Sequence, residues 1–176
     1  MRYLALDVET AAAMPWSVCQ IGVVGFDALG ETDAFGTLVQ PGCVFAPFNI
    51  RIHGIDDDRV AGAPDFATAF AALAPRLDGA IVVSHTYFDR GALTAACDRF
   101  GADMPDCLWL DSVRIARRAW PGLDGGYRLA NLARHLGISF RHHDATEDAR
   151  TCGLIVHHAL RETGLDLQGM VRALGR

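Results

Sequence analysis

The stretch "YLALDVET", residues 3–10, constrains the fold more than any other part of the chain. Leu4, Leu6 and Val8 alternate with Tyr3, Ala5 and Asp7, which is the two-residue period of a β-strand. Continuing that period puts Glu9 on the face of Asp7, about 7 Å further along by strand rise. Two neighbouring carboxylates repel, and withdrawing either from water is costly. An apolar strand that ends on two such acids calls for a positive partner between them.

The remaining periodicities describe an α/β unit. "SVCQIGVVGFD" and "DAFGTLVQP" read as a second and third strand joined by the turn "DALGE". "PGCVFAPFNIRIHGID" reads as irregular. "DFATAFAALAPRL" is a helix with an interruption expected near Pro75, and "GAIVVSH" is a continuously apolar strand suited to a sheet covered on both faces. "RGALTAACDRFG" is a helix ending at Gly101, and "CLWLDS" is a fifth strand. Helices follow in "VRIARRAW", "RLANLARHLGI", "ATEDARTCGLIVHHALRETG" and "LDLQGMVRALG". Three antiparallel strands followed by strands alternating with helices predict a mixed five-stranded sheet flanked by helices, in a single domain spanning 1–176.

Three further stretches bear on the opening acids. In "VVSHTYFDR", Asp89 follows a buried strand where a helix begins, a position that suits a helix cap as well as a functional carboxylate. In "RHHDATEDARTCGLIVHH", Asp144 and Glu147 have capping-box spacing, so a helix starts at Asp144 or Ala145. Asp148 then lies one turn in, on the face of Cys152, Ile155 and Ala159, where an aspartate is out of place unless it has a partner. Helical side chains lean toward the N-terminus, so Asp148 points toward His143, while His142, one step earlier on an extended segment, is expected to point away. In "VRIARRAW", Arg114, Arg117 and Arg118 share a helical face, which fits either a solvated surface or a ridge for phosphates.

Asp7, Glu9, Asp89 and Asp148 are thus four acids on three separate elements, each beside apolar structure. Converging carboxylates suit hard divalent cations, Mg²⁺ or Mn²⁺, and two such ions about 4 Å apart serve both the attacking and leaving oxygens of a phosphoryl transfer. Composition enters here. The net charge of −5 counts against a nucleic-acid partner, but two bound divalent ions nearly cancel it. All 16 basic residues are arginine, so any charged phosphate contact uses arginine or protonated histidine. The five cysteines, an odd number without a CxxC pair, are expected as free thiols. No apolar run reaches the roughly 18 residues of a membrane span. Asp7 and Glu9 interrupt the start too early for a signal-peptide core, which predicts a cytoplasmic protein.

With these residues in place, the chain resembles the 3′–5′ exonucleases of the DEDD superfamily, histidine-type branch. That family includes the proofreading subunit of bacterial replicative DNA polymerase, ribonuclease T and oligoribonuclease. "LDVET" resembles the first motif, "VVSHTYFD" the second, and "HDATEDA" fits the third, H-x-A-x-x-D-A. "CQIGVV", "IHGID" and "WLDSVRIARRAWPG" resemble the family's intervening segments. The second motif departs from the family's His-Asn: Ser84 and His85 occupy that position without a gap, or His85 and Thr86 after a one-residue slide. The family asparagine is missing either way.

The resemblance implies a ribonuclease H-like fold, two divalent ions on Asp7, Glu9, Asp89 and Asp148, and His143 as the general base. It places Thr10 and His85 near the substrate, with Arg114, Arg117 and Arg118 as candidate phosphate contacts. The implied reaction releases nucleoside 5′-monophosphates from single-stranded 3′ ends, of DNA in preference to RNA, as in DNA repair. Expected partners beyond those 3′ ends are a second copy of the chain or a polymerase. An RNA-trimming exoribonuclease, a relative acting as an endonuclease or on nucleotides, and an inactive nucleic-acid-binding module are the alternatives. His53 is expected to be structural, with Asp56 capping a short helix after it, and Trp120 and Tyr127 are expected to pack rather than stack on bases.

Overall fold

The structure, a computed structural model, describes residues 2–175; Met1 and Arg176, the ends of the expected domain, lie outside the described residues. The strands are β1 (Tyr3–Thr10), β2 (Val18–Phe26), β3 (Glu31–Leu38), β4 (Ile81–Ser84) and β5 (Leu108–Asp111). The helices are α1 (Pro47–His53), α2 (Phe66–Leu77), α3 (Phe88–Phe100), α4 (Ser112–Ala119), α5 (Leu129–Leu136), α6 (Ala145–Thr163) and α7 (Leu167–Ala173). The five strands form one sheet in the order β3-β2-β1-β4-β5. β1 pairs antiparallel with β2 and parallel with β4, so the sheet is mixed, as its alternating patterns predict.

The alternation in β1 divides the core in two. Leu6 and Val8 pack with Val82, Trp109 and the apolar faces of α2 and α3 on one side of the sheet. Tyr3 and Ala5 pack with Val24, Phe26 and the apolar stripes of α4, α5 and α6 on the other. Asp7 and Glu9 continue this second face, so the core under α6 gives way to carboxylates within a single strand.

Three local expectations change. Residues 47–53 form α1 rather than irregular chain: Pro47 opens it at a position where no N–H is needed, and Gly54 closes it at φ 72°. No side chain of α1 is buried, so it carries no amphipathic stripe to reveal it. α2 runs through Pro75 to Leu77: the proline gives up one helical N–H bond, but the ladder continues past it, with the Asp78 N–H reaching the Ala74 carbonyl at 3.1 Å. Asp56 accepts the Arg59 N–H at 3.0 Å but closes only a turn, not a helix. All five cysteines are free.

Candidate active site

β1 is longer than its parallel neighbour. It pairs with β4 at Leu4 and Ala5 only, and β4 ends at Ser84. Beyond that point the Val8 N–H has no strand beside it, and the Asp89 carboxylate supplies the acceptor at 3.0 Å. α3 starts two residues earlier than its apolar pattern predicts, so Asp89 lies inside the helix and does not cap it; the cap residue, Tyr87, makes no side-chain cap bond. Thr86 reaches the turn at φ 85°, a left-handed conformation that a β-branched residue rarely adopts. Ser84 Oγ donates to the Thr86 carbonyl across this turn. His85, common to both registers open for the second motif, lines the cleft beside Thr86, and its Nδ1 lies 2.8 Å from the buried Ser112 Oγ.

Asp148 arrives from the other face of the sheet. Asp144 caps α6, accepting from Thr146 N and Glu147 N, which places Asp148 one turn in and leaves it buried. The helix comes unusually close to the sheet. A Cβ on Gly22 would meet the Ala145 carbonyl carbon at 2.3 Å, and one on Gly153 would meet the Phe26 ring at 2.0 Å. Gly22 is the cross-strand partner of Asp7, and Gln20 that of Glu9. The Gln20 Oε1 accepts the Ala145 N–H at 3.1 Å. The two β2 residues opposite the acids therefore seat the start of α6 and bring Asp148 down to them. Both residues lie in the stretch 19–24 that carries part of the family resemblance, but the sequence gives neither a role; the informative signal is the absence of a side chain at position 22.

Asp7, Glu9 and Asp148 each offer a carboxylate oxygen, and these atoms lie within 4.8 Å of one another. With Asp89, His85, His142 and His143 they line a cleft of about 260 Å³. No lysine or arginine lines this cleft among the described residues. The electrostatic consequence is direct. Burial, then the neighbouring acids, lift Asp7 well above the usual carboxylate range, and the same causes lift Glu9 to about 8. Burial lifts Asp89 to about 7 despite the Val8 N–H, and raises Asp148 although His142 and His143 counter it. An all-oxygen donor set, close-packed and lacking a protein cation, fits one or more hard divalent ions.

The histidines are arranged differently from the expectation. His142 does not point away: its Nδ1 lies 3.1 Å from Asp148 Oδ1, and its ring stacks on that of His143 with centroids 3.9 Å apart. The reason is that His143 adopts φ 64°, so the segment is not extended and adjacent side chains need not alternate. His143 donates its backbone N–H to Asp148 Oδ2 at 3.0 Å, and its Nδ1 lies 3.8 Å from Glu9 Oε1. Burial, then the neighbouring His142, depresses the His143 pKa.

Thr10 is buried beyond a register shift in β1. Its carbonyl accepts from Asn49 Nδ2 at 2.8 Å and from His53 Nε2 at 3.1 Å. Because His53 Nδ1 accepts the Ile55 N–H, Nε2 carries the proton and the ring is a structural tie. A second groove, lined by Thr10, Phe48, Asn49, Ile52 and Phe88, joins the acidic cleft at Glu9 and His143. The arginine ridge is not brought into either cleft. Arg114 donates to the Leu174 carbonyl at 2.8 Å, Arg117 lies over the Tyr127 ring, and Arg118 is exposed. Tyr127 in turn donates to the Trp120 carbonyl at 2.6 Å, which makes both aromatics part of the loop's own packing.

A mixed five-stranded sheet flanked by helices, with two carboxylates at the end of its central strand and two more brought to it by α3 and α6, defines an α/β protein of ribonuclease H-like fold. Among solved structures, Exonuclease X in complex with 5′ overhanging duplex DNA superposes with a TM-score of 0.74 at 21% identity, covering 98% of this chain and 99% of that one. The nuclease domain of 3′hExo, a DEDDh family member bound to rAMP, gives 0.79 at 17% identity and 92% coverage of both chains. In sequence, the chain is 31% identical over 161 residues to the 3′–5′ exonuclease DinG of Bacillus subtilis, covering 88% of this chain and 17% of that protein. It is 28% identical to a PolC-type DNA polymerase III of Pediococcus pentosaceus, over 92% of this chain and 11% of the polymerase. The profile of the RNase T family, described as Exonuclease, matches residues 4–156, and the chain belongs to that family.

Proposed function

We propose that the chain is one exonuclease unit that hydrolyses phosphodiester bonds from the 3′ end of single-stranded nucleic acid, DNA in preference to RNA, releasing nucleoside 5′-monophosphates. The observation that carries this reading is the convergence of Asp7, Glu9 and Asp148 within 4.8 Å, in a cleft that Asp89 and His143 also line. Those four acids hold two divalent ions, Mg²⁺ or Mn²⁺. When bound, such ions polarise the scissile phosphate and make the attacking water more acidic. His143, kept neutral by its depressed pKa, takes the water's proton at a ring nitrogen. Asp89 fixes the end of β1 through the Val8 N–H while presenting its carboxylate to the cleft. The apolar groove of Phe48, Ile52 and Phe88 receives the terminal base by stacking, with Thr10 at the junction of groove and acids. His85 borders the substrate from the opposite wall.

The preference for DNA rests on the relatives: a PolC-type DNA polymerase III is among them, and Exonuclease I has been solved with a dA16 oligonucleotide. A polymerase or a second copy of this chain is the matching partner proposal. The test is incubation with Mn²⁺ and oligonucleotides labelled at either end, in DNA and RNA versions. A 5′-labelled DNA strand should shorten stepwise while a 3′ label is released as mononucleotide. Activity that persists in excess chelator, or internal cuts, would exclude the mechanism.

A further inference from the structure

Asp148 belongs to two donor sets. With Asp7 and Glu9 it forms the all-carboxylate group described above. With His142 and His143 it forms a second group, in which two imidazole nitrogens and a carboxylate oxygen also lie within 4.8 Å of one another. The chemistry of the two differs. Oxygen donors suit Mg²⁺ and Mn²⁺, whereas two imidazoles and one carboxylate form the three-ligand set of borderline-soft Zn²⁺, with the fourth position left to water. His142 lies outside the H-x-A-x-x-D pattern through which the exonuclease resemblance assigns His143 and Asp148, so the pattern itself does not account for its place beside Asp148.

We propose that His142, His143 and Asp148 form a Zn²⁺ site that competes with the exonuclease ions for Asp148. Three observations favour it. The His142 Nδ1 lies 3.1 and 3.2 Å from the two oxygens of Asp148, as close as ligand atoms on one tetrahedral zinc, which sit about 3.3 Å apart for bonds of 2.0–2.1 Å. The backbone N–H of His143 holds Asp148 Oδ2, so the carboxylate is oriented by the outer-shell bond that metal-ligating acids ordinarily have. Both imidazoles are accessible, with side chains 43% and 41% exposed, and they are stacked nearly parallel. One nitrogen of each ring already lies within 4.8 Å of the other and of an Asp148 oxygen, and the exposed edge gives an ion an entry path.

The consequence for turnover rests on the exonuclease reading: zinc engaged by Asp148 withdraws a ligand from the acidic set and occupies His143, so Zn²⁺ inhibits Mg²⁺- or Mn²⁺-supported cleavage. The site itself does not depend on that reading and is tested without substrate. Metal-free protein is titrated with Co²⁺, a spectroscopic substitute for Zn²⁺, followed by visible absorption and then by displacement with Zn²⁺; Mn²⁺ affinity is measured separately by the resonance of the free ion. The parent should develop an intense low-coordinate Co²⁺ band at one equivalent, and Zn²⁺ should abolish it.

His142→Gln should lower Zn²⁺ affinity by at least about tenfold more than it lowers Mn²⁺ affinity. Asp7→Asn should do the reverse and keep the Co²⁺ band. Absence of the band, its loss in Asp7→Asn, or equal effects of His142→Gln on both metals would overturn the proposal. An inactive protein that retains the band would refute the exonuclease reading and leave the zinc site standing.

Discussion

Asp89 and Asp148 reach the same strand from opposite faces of the sheet, and they are held in different ways. Asp89 comes from α3, whose apolar residues pack with Leu6 and Val8; Asp148 comes from α6, over Tyr3 and Ala5. Asp89 accepts the N–H of Val8, a backbone group that the short β4 leaves without a partner. Asp148 accepts from the loop that precedes its own helix, including an exposed histidine. One carboxylate completes a sheet; the other belongs to an adjustable cluster of side chains. A buried acid is therefore not one kind of object: Asp89 ties a buried N–H of the sheet, whereas Asp148 ties the part-buried N–H of a loop.

The largest expected effects put the two acids on equal terms. Asp89→Asn and Asp148→Asn should each lower turnover by about 10³-fold or more, since each removes a charge that opposes a divalent ion. A loss confined to one of them, in steady-state assays with Mn²⁺, would break the symmetry of the proposed site. Leucine then separates them. Asp89→Leu leaves the Val8 N–H unsatisfied and should destabilise the metal-free protein by about 1–3 kcal/mol in urea unfolding. Asp148→Leu releases only the part-buried His143 N–H and removes an acid from a cluster of like charge, so it should cost clearly less than Asp89→Leu. Equal destabilisation by both would mean that Asp148 is as structural as Asp89.

The histidine pair sharpens the same contrast within the Asp148 cluster. His143→Ala should lower turnover by roughly 10²–10⁴-fold, the usual contribution of a general base, and should remove the acidic limb of the pH–rate profile. His142 touches Asp148 rather than the reacting atoms, so His142→Ala should cost about tenfold and keep that limb. Reversal of these two outcomes would move the base assignment to His142.

That pair also shows where sequence reasoning stops. The acids of β1 were legible because a two-residue period states which face each one shares. Asp148 was legible because an aspartate on an apolar helical stripe is an anomaly at fixed spacing. An extended segment would turn His142 away from Asp148, and the left-handed φ of His143 that brings it back leaves no mark on a sequence. α1 escaped because none of its side chains is buried, although Pro47 and Gly54 bracket it as helix boundaries do. The seat made by Gln20 and Gly22 escaped for another reason: a glycine in a strand does not say what lies above it, and only the fold shows that the backbone of Ala145 does.

A smaller effect concerns pH. Burial raises the folded-state pKa of all four acids, with repulsion from neighbouring acids adding at Asp7, Glu9 and Asp89; Glu9 reaches about 8 and Asp89 about 7, whereas unfolded carboxylates titrate near 4. Between these limits the metal-free folded protein binds more protons than the unfolded chain. Its stability is therefore greatest below about pH 4 on this account and falls as pH rises toward 8. His143, His85 and His53, whose pKa values are depressed, work in the opposite direction around pH 6 and soften the slope. Asp7→Asn should be more stable than the metal-free parent by about 1 kcal/mol at pH 8, with the difference closing toward pH 4. Urea midpoints across this range check it, and a difference that widens on acidification would make Asp7 a structural acid like Asp89.

The smallest expected effect asks on which side of the cleft the substrate strand runs. Phe88, on α3, lines the apolar groove, whereas the arginines of α4 stand on the face of the sheet that α6 covers. Two of the three have protein partners: Arg114 the Leu174 carbonyl and Arg117 the Tyr127 ring. Arg118 is exposed with no hydrogen bond or ion pair among the described residues, so it is the one of the three free to meet a phosphate. Neutralising Arg118 to Gln should weaken substrate binding a few-fold and reduce the log–log salt slope by about 1, with turnover at saturation unchanged. Arg114→Gln should leave the slope alone. If the Arg118 substitution also left it unchanged, the ridge would be a solvated face, and the strand would be guided by the α3 side, with Asp89, rather than by the α6 side, with Asp148.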